Sequence, residues 1–170
     1  MHKTGFRTLA VVVAFVTAGA GYAGAESLAE QFSADGSVFE HNIDADTAKN
    51  DDKQQIESIR FEQFPKSADK GEQNADTLAI DFEITVKFRS EDKPSQAAGM
   101  CFASEEQMDC RIDCDGSGFF LKADEAEGSR SIVLINTDGF QLNGCSDDNG
   151  KVQTVKPDLE NNAYRLDPLN

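Results

Sequence analysis

The stretch Leu78-Ala-Ile-Asp-Phe-Glu-Ile-Thr-Val-Lys-Phe-Arg89 decides the fold class. Leu78, Ile80, Phe82, Ile84, Val86 and Phe88 alternate without error with Ala79, Asp81, Glu83, Thr85, Lys87 and Arg89. Successive side chains of a strand point to opposite faces. A period of two therefore sets one apolar face against a core and leaves the other in water. A strand with one wet face belongs to an antiparallel sheet, since parallel strands are covered on both sides.

On the C-terminal side, Ser90–Ala98 reads as a loop around Pro94, and Gly99–Cys114 as a hairpin turning near Ser104-Glu-Glu-Gln107. With Glu105 and Glu106 at the tip, Cys101 faces Cys110, and cross-strand partners stand close enough for a disulfide. Cys114, four residues beyond Cys110, falls on the same face, and Cys145 remains as its partner. Four cysteines admit three pairings; Cys101–Cys110 with Cys114–Cys145 is the expected one. Asp113-Cys-Asp-Gly-Ser-Gly118 then turns the chain into Phe119-Phe-Leu-Lys122, and a second turn at 124–129 leads to Ser131-Ile-Val-Leu-Ile-Asn136. Thr137-Asp-Gly139 is a hairpin signal that returns the chain through Phe140-Gln-Leu-Asn-Gly-Cys145. Val152–Val155 and Ala163–Leu166 supply closing strands.

On the N-terminal side, Gln55–Phe64 reads as a strand stopped by Pro65. Helix stays open there, because Ile56, Ile59 and Gln63 also suit a helical face. Ser37–Ile43 alternates as a short strand, and Ser27–Phe32 forms one amphipathic turn. Short strands at this spacing predict an all-β domain, an antiparallel β-sandwich or a small β-barrel, with two disulfides.

Residues 1–25 are set apart by their pattern. Lys3 and Arg7 precede the apolar run Leu9–Ala18, and Ala23-Gly-Ala25 supplies a small-residue cleavage site. These are the three parts of a secretory signal peptide, with Glu26 the first mature residue. The apolar run is too short for a spanning helix, which needs ~20 residues. No later segment is apolar enough to cross a bilayer as a helix. The expected organisation is a cleaved signal (1–25), a loop-rich N-terminal segment with a short strand (26–54) and a disulfide-stapled β domain (55–170). The expected location is the periplasm or the exterior, where disulfides persist.

The chain holds 31 acidic residues against 16 Lys and Arg, a net charge of −15, and loss of Lys3 and Arg7 makes it more negative. Such a charge repels phosphate backbones and anionic lipid, which excludes nucleic acid as a natural partner. It draws cations and basic proteins.

The sharpest motif is Asp113-Cys-Asp115-Gly-Ser117-Gly118-Phe-Phe-Leu-Lys-Ala-Asp124. Oxygen donors stand at positions 1, 3 and 5, glycine at 6 and a carboxylate at 12, the ligand spacing of an EF-hand calcium loop. Asp113, Asp115, Ser117 and Asp124 are thus the candidate Ca²⁺ ligands. The flanks oppose it, because the Ile-Val-Leu-Ile run after Gly128-Ser129 is strand where an exiting helix is required. No other cofactor is implied.

Catalysis has thinner support. His41 is the one histidine of the mature chain, with no nucleophile motif beside it, and the even cysteine count leaves no free thiol. A carboxylate-based hydrolase is the alternative that a chain so rich in acids keeps open. The absence of Trp weakens a sugar-stacking platform. Phe119 and Phe120 are adjacent, so on a strand one of them faces away from the core. They form either a doubly buried pair or an apolar contact patch for a partner.

Cys114-Asp-Gly-Ser-Gly-Phe-Phe-Leu121, Gly139-Phe-Gln-Leu-Asn-Gly-Cys145 and Tyr164-Arg-Leu-Asp-Pro168 resemble matching pieces of a group of small exported bacterial proteins with no assigned activity. The resemblance is confined to the C-terminal third. It implies export and a disulfide-bearing β domain, and brings no ligand or catalytic residue. In that group the turn after the cysteine often lacks an acid at the position of Asp113, which weighs against calcium as its general purpose. The expected function is a non-catalytic exported protein, a binding or envelope-associated β domain whose partner is a protein or envelope component. The calcium module and the carboxylate hydrolase are its alternatives.

Overall fold

The structure is a computed structural model that describes residues 28, 31–32, 36–43, 55–64, 79–104, 106–114, 116–126, 129–144, 151–157 and 162–169. The expected signal peptide, Asp115 and Cys145 lie outside the described residues. Ten strands follow in chain order: β1 (Val38–Asn42), β2 (Ile56–Gln63), β3 (Ala79–Phe88), β4 (Ser95–Ala103), β5 (Met108–Ile112), β6 (Gly118–Ala123), β7 (Ile132–Ile135), β8 (Phe140–Leu142), β9 (Gln153–Val155) and β10 (Ala163–Pro168). Eight close into an antiparallel barrel in the order β1-β10-β7-β6-β5-β4-β3-β2, and β8 and β9 pair apart as a two-stranded ribbon. Of the two architectures expected, the barrel is the one formed. It is an up-and-down meander with the ribbon inserted between β7 and β10. β1, placed by sequence in the N-terminal segment, is a barrel strand paired with β2 and β10.

The alternation that opened the sequence reading governs β3. Ile80, Phe82, Ile84, Val86 and Phe88 are buried, and the intervening residues face outward. β2 is a strand and not a helix. Its register shifts between Ile56 and Ser58, so Ile56 and Ile59 both reach the core although three residues apart. That bulge is the physical source of the helical-looking spacing. Gly99 faces inward opposite Phe82 and Ile112. A Cβ there would stand 2.9 Å from Phe82 Cζ and would run into the Arg111 carbonyl, so only glycine lets the ring lie against β4.

The interior is filled by a column of phenylalanines. Ring centroids step from Phe32 to Phe61 (5.8 Å), Phe82 (5.1 Å), Phe119 (5.4 Å) and Phe140 (5.1 Å). An eight-stranded barrel is just wide enough for side chains to fill it. Both mouths are covered. At one, the N-terminal turn, in which the Phe32 amide donates to the Leu28 carbonyl (3.0 Å), buries Leu28 and Phe32. Gln63 Nε2 ties that turn down by donating to the Phe32 carbonyl (3.1 Å). At the other, the ribbon buries Phe140, Leu142 and Val155.

Two expectations are corrected. β7 and β8 do not form a hairpin across Thr137-Asp-Gly139; β7 already has β6 and β10 on its two sides, and β8 pairs with β9. Buried Asn136 redirects the chain, accepting from the Gly139 amide (2.8 Å) and donating to the Val155 carbonyl (3.1 Å), while Gly139 takes a φ of 87°. The disulfide Cys101–Cys110 is formed across β4 and β5 and is fully buried. Cys114 does not share its face. It is exposed in the turn after β5, with a φ of 78°, so the strand period used to place it ends at Ile112.

Candidate functional site

The ribbon does more than cover a mouth. It packs against β4 and the start of β6 and leaves a groove of about 450 Å³ between itself and the outer face of β5 and β6. The floor is Gly116–Phe120, one wall is Asp109 and Arg111 of β5, and the other is Thr137–Gly139 with Gln141 and Thr154. Three anchors hold the ribbon in place. The Gln141 amide donates to Ser117 Oγ (3.0 Å), and the Asn143 amide donates to the Gln96 carbonyl (2.9 Å) while Asn143 Oδ1 accepts from the Gln96 amide (3.1 Å). The Glu91 carboxylate accepts from Lys151 Nζ (3.1 Å) and Gln153 Nε2 (3.0 Å). These bonds, the Lys151 one first, hold the Glu91 carboxyl below the usual carboxylate range.

Alternation along β6 settles the Phe119–Phe120 pair. Phe119 is buried in the core column, so it offers nothing to a partner, while Phe120 is half-buried on the outer wall and floors the groove. Register sets Phe120 beside Asp109 on β5 and Ile135 on β7, with Phe102 beyond Asp109 on β4. Phe102 is 43% exposed. Asp109 holds Arg111 at 2.8 Å along the same strand.

The twelve-residue loop does not curl as an EF-hand does. Its second half, Gly118–Ala123, is extended strand β6, which carries Asp124 ~20 Å from the Asp113 end at ~3.3 Å per residue. Calcium ligands must converge at ~2.3–2.6 Å from one ion. Ser117 is engaged with the ribbon, and Asp115 lies outside the described residues. Asp124 serves the far end of β6, accepting from Ser129 Oγ (2.9 Å) and the Ala126 amide (3.2 Å), with Arg165 at 3.4 Å. Ser129 foremost, with the Ala126 amide, holds its carboxyl below the usual range. Among the described residues no three His, Cys, Asp or Glu side chains gather as a metal-holding group.

Arg165 links that pair to a neighbour. Its Nε donates to Asp167 (3.2 Å), and Ser131 Oγ donates to the same carboxylate at 2.6 Å, which chiefly lowers the pKa of Asp167. Ser131 is buried and its hydroxyl proton is committed to Asp167, so it is a brace between β10 and the start of β7. His41 donates from Nδ1 to the Arg165 carbonyl (2.7 Å) and sets its ring edge-on to Tyr164. Both side chains lock β10 into the closed wall.

Sequence reasoning singled out the glycine turn and Phe120. It missed Asp109, Arg111, Gln141 and Thr154, and read Thr137–Gly139 as a turn alone. The Asp109/Arg111 spacing of two, beside buried Cys110, was the available signal for outward-facing partners. No family model matches this chain, and neither does any curated protein or solved structure.

Proposed function

We propose that the chain is an exported, non-catalytic binding protein that meets its partner on the outer wall of the barrel, in the groove between β5–β6 and the ribbon. The observation that carries this reading is the filled interior. Barrels that hold a small ligand keep a cavity inside. Here the phenylalanine column and the two covers occupy that space, and the groove between β5–β6 and the ribbon is an external concavity. Its volume is in the range of known ligand sites, ~300–1,000 Å³.

Export is supported by the buried Cys101–Cys110 bridge, since disulfides persist in oxidising compartments. A second bridge, Cys114–Cys145, belongs to the same proposal; Cys114 carries no free thiol. Among the described residues no helix is long and apolar enough to cross a membrane. The outer faces of β2 and β3 carry Glu57, Arg60, Glu62, Asp81, Glu83 and Lys87, which supports a wall facing water. Basic side chains on a lipid-facing wall would cost ~2–4 kcal/mol each at the midplane.

The test is a pull-down from envelope extract at physiological salt with the wild-type protein and Phe120→Ala side by side, since basic proteins gathered by net charge alone are retained equally by both. The expected result is a partner retained by the wild type and lost by the variant. Equal retention by both, or no retained partner, would refute the groove as the binding surface.

A further inference from the structure

We propose that the groove takes a lysine- or arginine-bearing segment of a basic protein, its cation seated over Phe120 between Asp109 and Asp138. This rests on the reading of the groove as a binding surface. At −15, a second copy of this chain would bring like charge to the face, and an anionic partner would do the same. A cationic segment gains from the whole field of the protein.

β6 lies between β5 and β7, so outward-facing Phe120 has Asp109 on one side and the turn carrying Asp138 on the other. Thr137 Oγ1 donates to Asp138 Oδ2 (3.1 Å) and fixes that carboxylate. An aromatic face flanked by carboxylates is a seat for an ammonium or guanidinium group, which the ring quadrupole and the charges attract together. Arg111, on the same wall, already lies against Asp109 and is 55% exposed. An exposed pair of this kind is held weakly, so Asp109 can be shared with an incoming cation.

The experiment maps amide chemical shifts of the full chain on titration with a capped pentapeptide bearing two arginines. A second titration uses the same peptide with citrulline at those positions. The arginine peptide should shift the amides of Phe120, Asp138 and Thr154 at physiological salt. Phe120→Ala and Asp138→Asn should each weaken binding about fivefold, as loss of one cation–π or charge contact implies. Glu57→Gln, the same charge change on the far side of the barrel, should weaken it less than about twofold. Equal weakening by Glu57→Gln, or shifts scattered over the acidic surface, would overturn the proposal as nonspecific attraction. Equal binding of the citrulline peptide in the groove would overturn the cation seat while leaving the groove a binding surface. Absence of groove shifts with the arginine peptide would overturn the proposal, and the pull-down then decides the wider reading.

Discussion

Replacing Phe119 and Phe120 separately with alanine tests the wall itself, because the two neighbours differ in little but the face they occupy. Phe119 is buried and touches three other rings, Phe61 at 6.4 Å, Phe82 at 5.4 Å and Phe140 at 5.1 Å. Truncating a buried phenylalanine costs ~3–5 kcal/mol, as lost transfer energy plus a residual cavity. Phe119 belongs in the upper half of that range. The hole opens in mid-column, and the rings around it are held by closed strands that cannot collapse inward. Ring–ring contacts of ~0.5–1.5 kcal/mol each are part of this figure and are not added to it. Phe120 is half-buried, so its truncation forfeits about half of the ~1.5–3 kcal/mol that full burial of a large apolar side chain yields, near 1 kcal/mol. Urea unfolding followed by circular dichroism should show Phe119→Ala losing at least about 2 kcal/mol more than Phe120→Ala with an unchanged m-value. Equal losses, or the larger loss at Phe120, would mean that β6 is shifted by one residue and that the groove floor is misassigned.

Three further outcomes follow from the packing and the charges. The unreduced mature protein should weigh four hydrogens less than the reduced form, and the double change Cys101→Ala with Cys110→Ala should cost ~2–3 kcal/mol in denaturant unfolding, the loop-closure value for so short a loop. Gly99→Ala should destabilise the barrel by more than ~2 kcal/mol in the same assay, since the added methyl meets backbone and the Phe82 ring has nowhere to go. Glu91, Asp124 and Asp167 all have lowered pKa values in the folded state. Their contribution is complete above the unfolded values, near ~4. It is lost as pH falls through the lower folded values, because the unfolded chain then binds more protons. A pH series of unfolding midpoints should show this acid loss, and Asp167→Asn should reduce its slope.

The strands that carry a clean period of two were legible in the sequence, β3 above all, and so was the β4–β5 hairpin with its Cys101–Cys110 staple. Both depend on neighbouring residues. Ala163–Leu166 was legible as a closing strand, but its pairing with β1 was not, because it joins stretches more than a hundred residues apart and leaves no local pattern. The Asp113–Asp124 spacing is a ligand pattern that the flanking sequence already opposed. A ligand period in sequence has meaning only if the chain bends through it, and Phe119 and Leu121 pull that segment straight into the core.

The groove was illegible for the same reason as the closure. Its walls come from 109–120, 137–141 and 154, and only the fold-back of the ribbon joins them. An isolated two-stranded ribbon is barely stable. This one stands because Phe140, Leu142 and Val155 end in the barrel core, with Phe140 as the last ring of the column. The wall facing Phe120 is therefore fixed by the same packing that fills the interior. Under the proposed reading, a partner would meet a groove that is already formed, without the ordering cost that a mobile flap would add to binding.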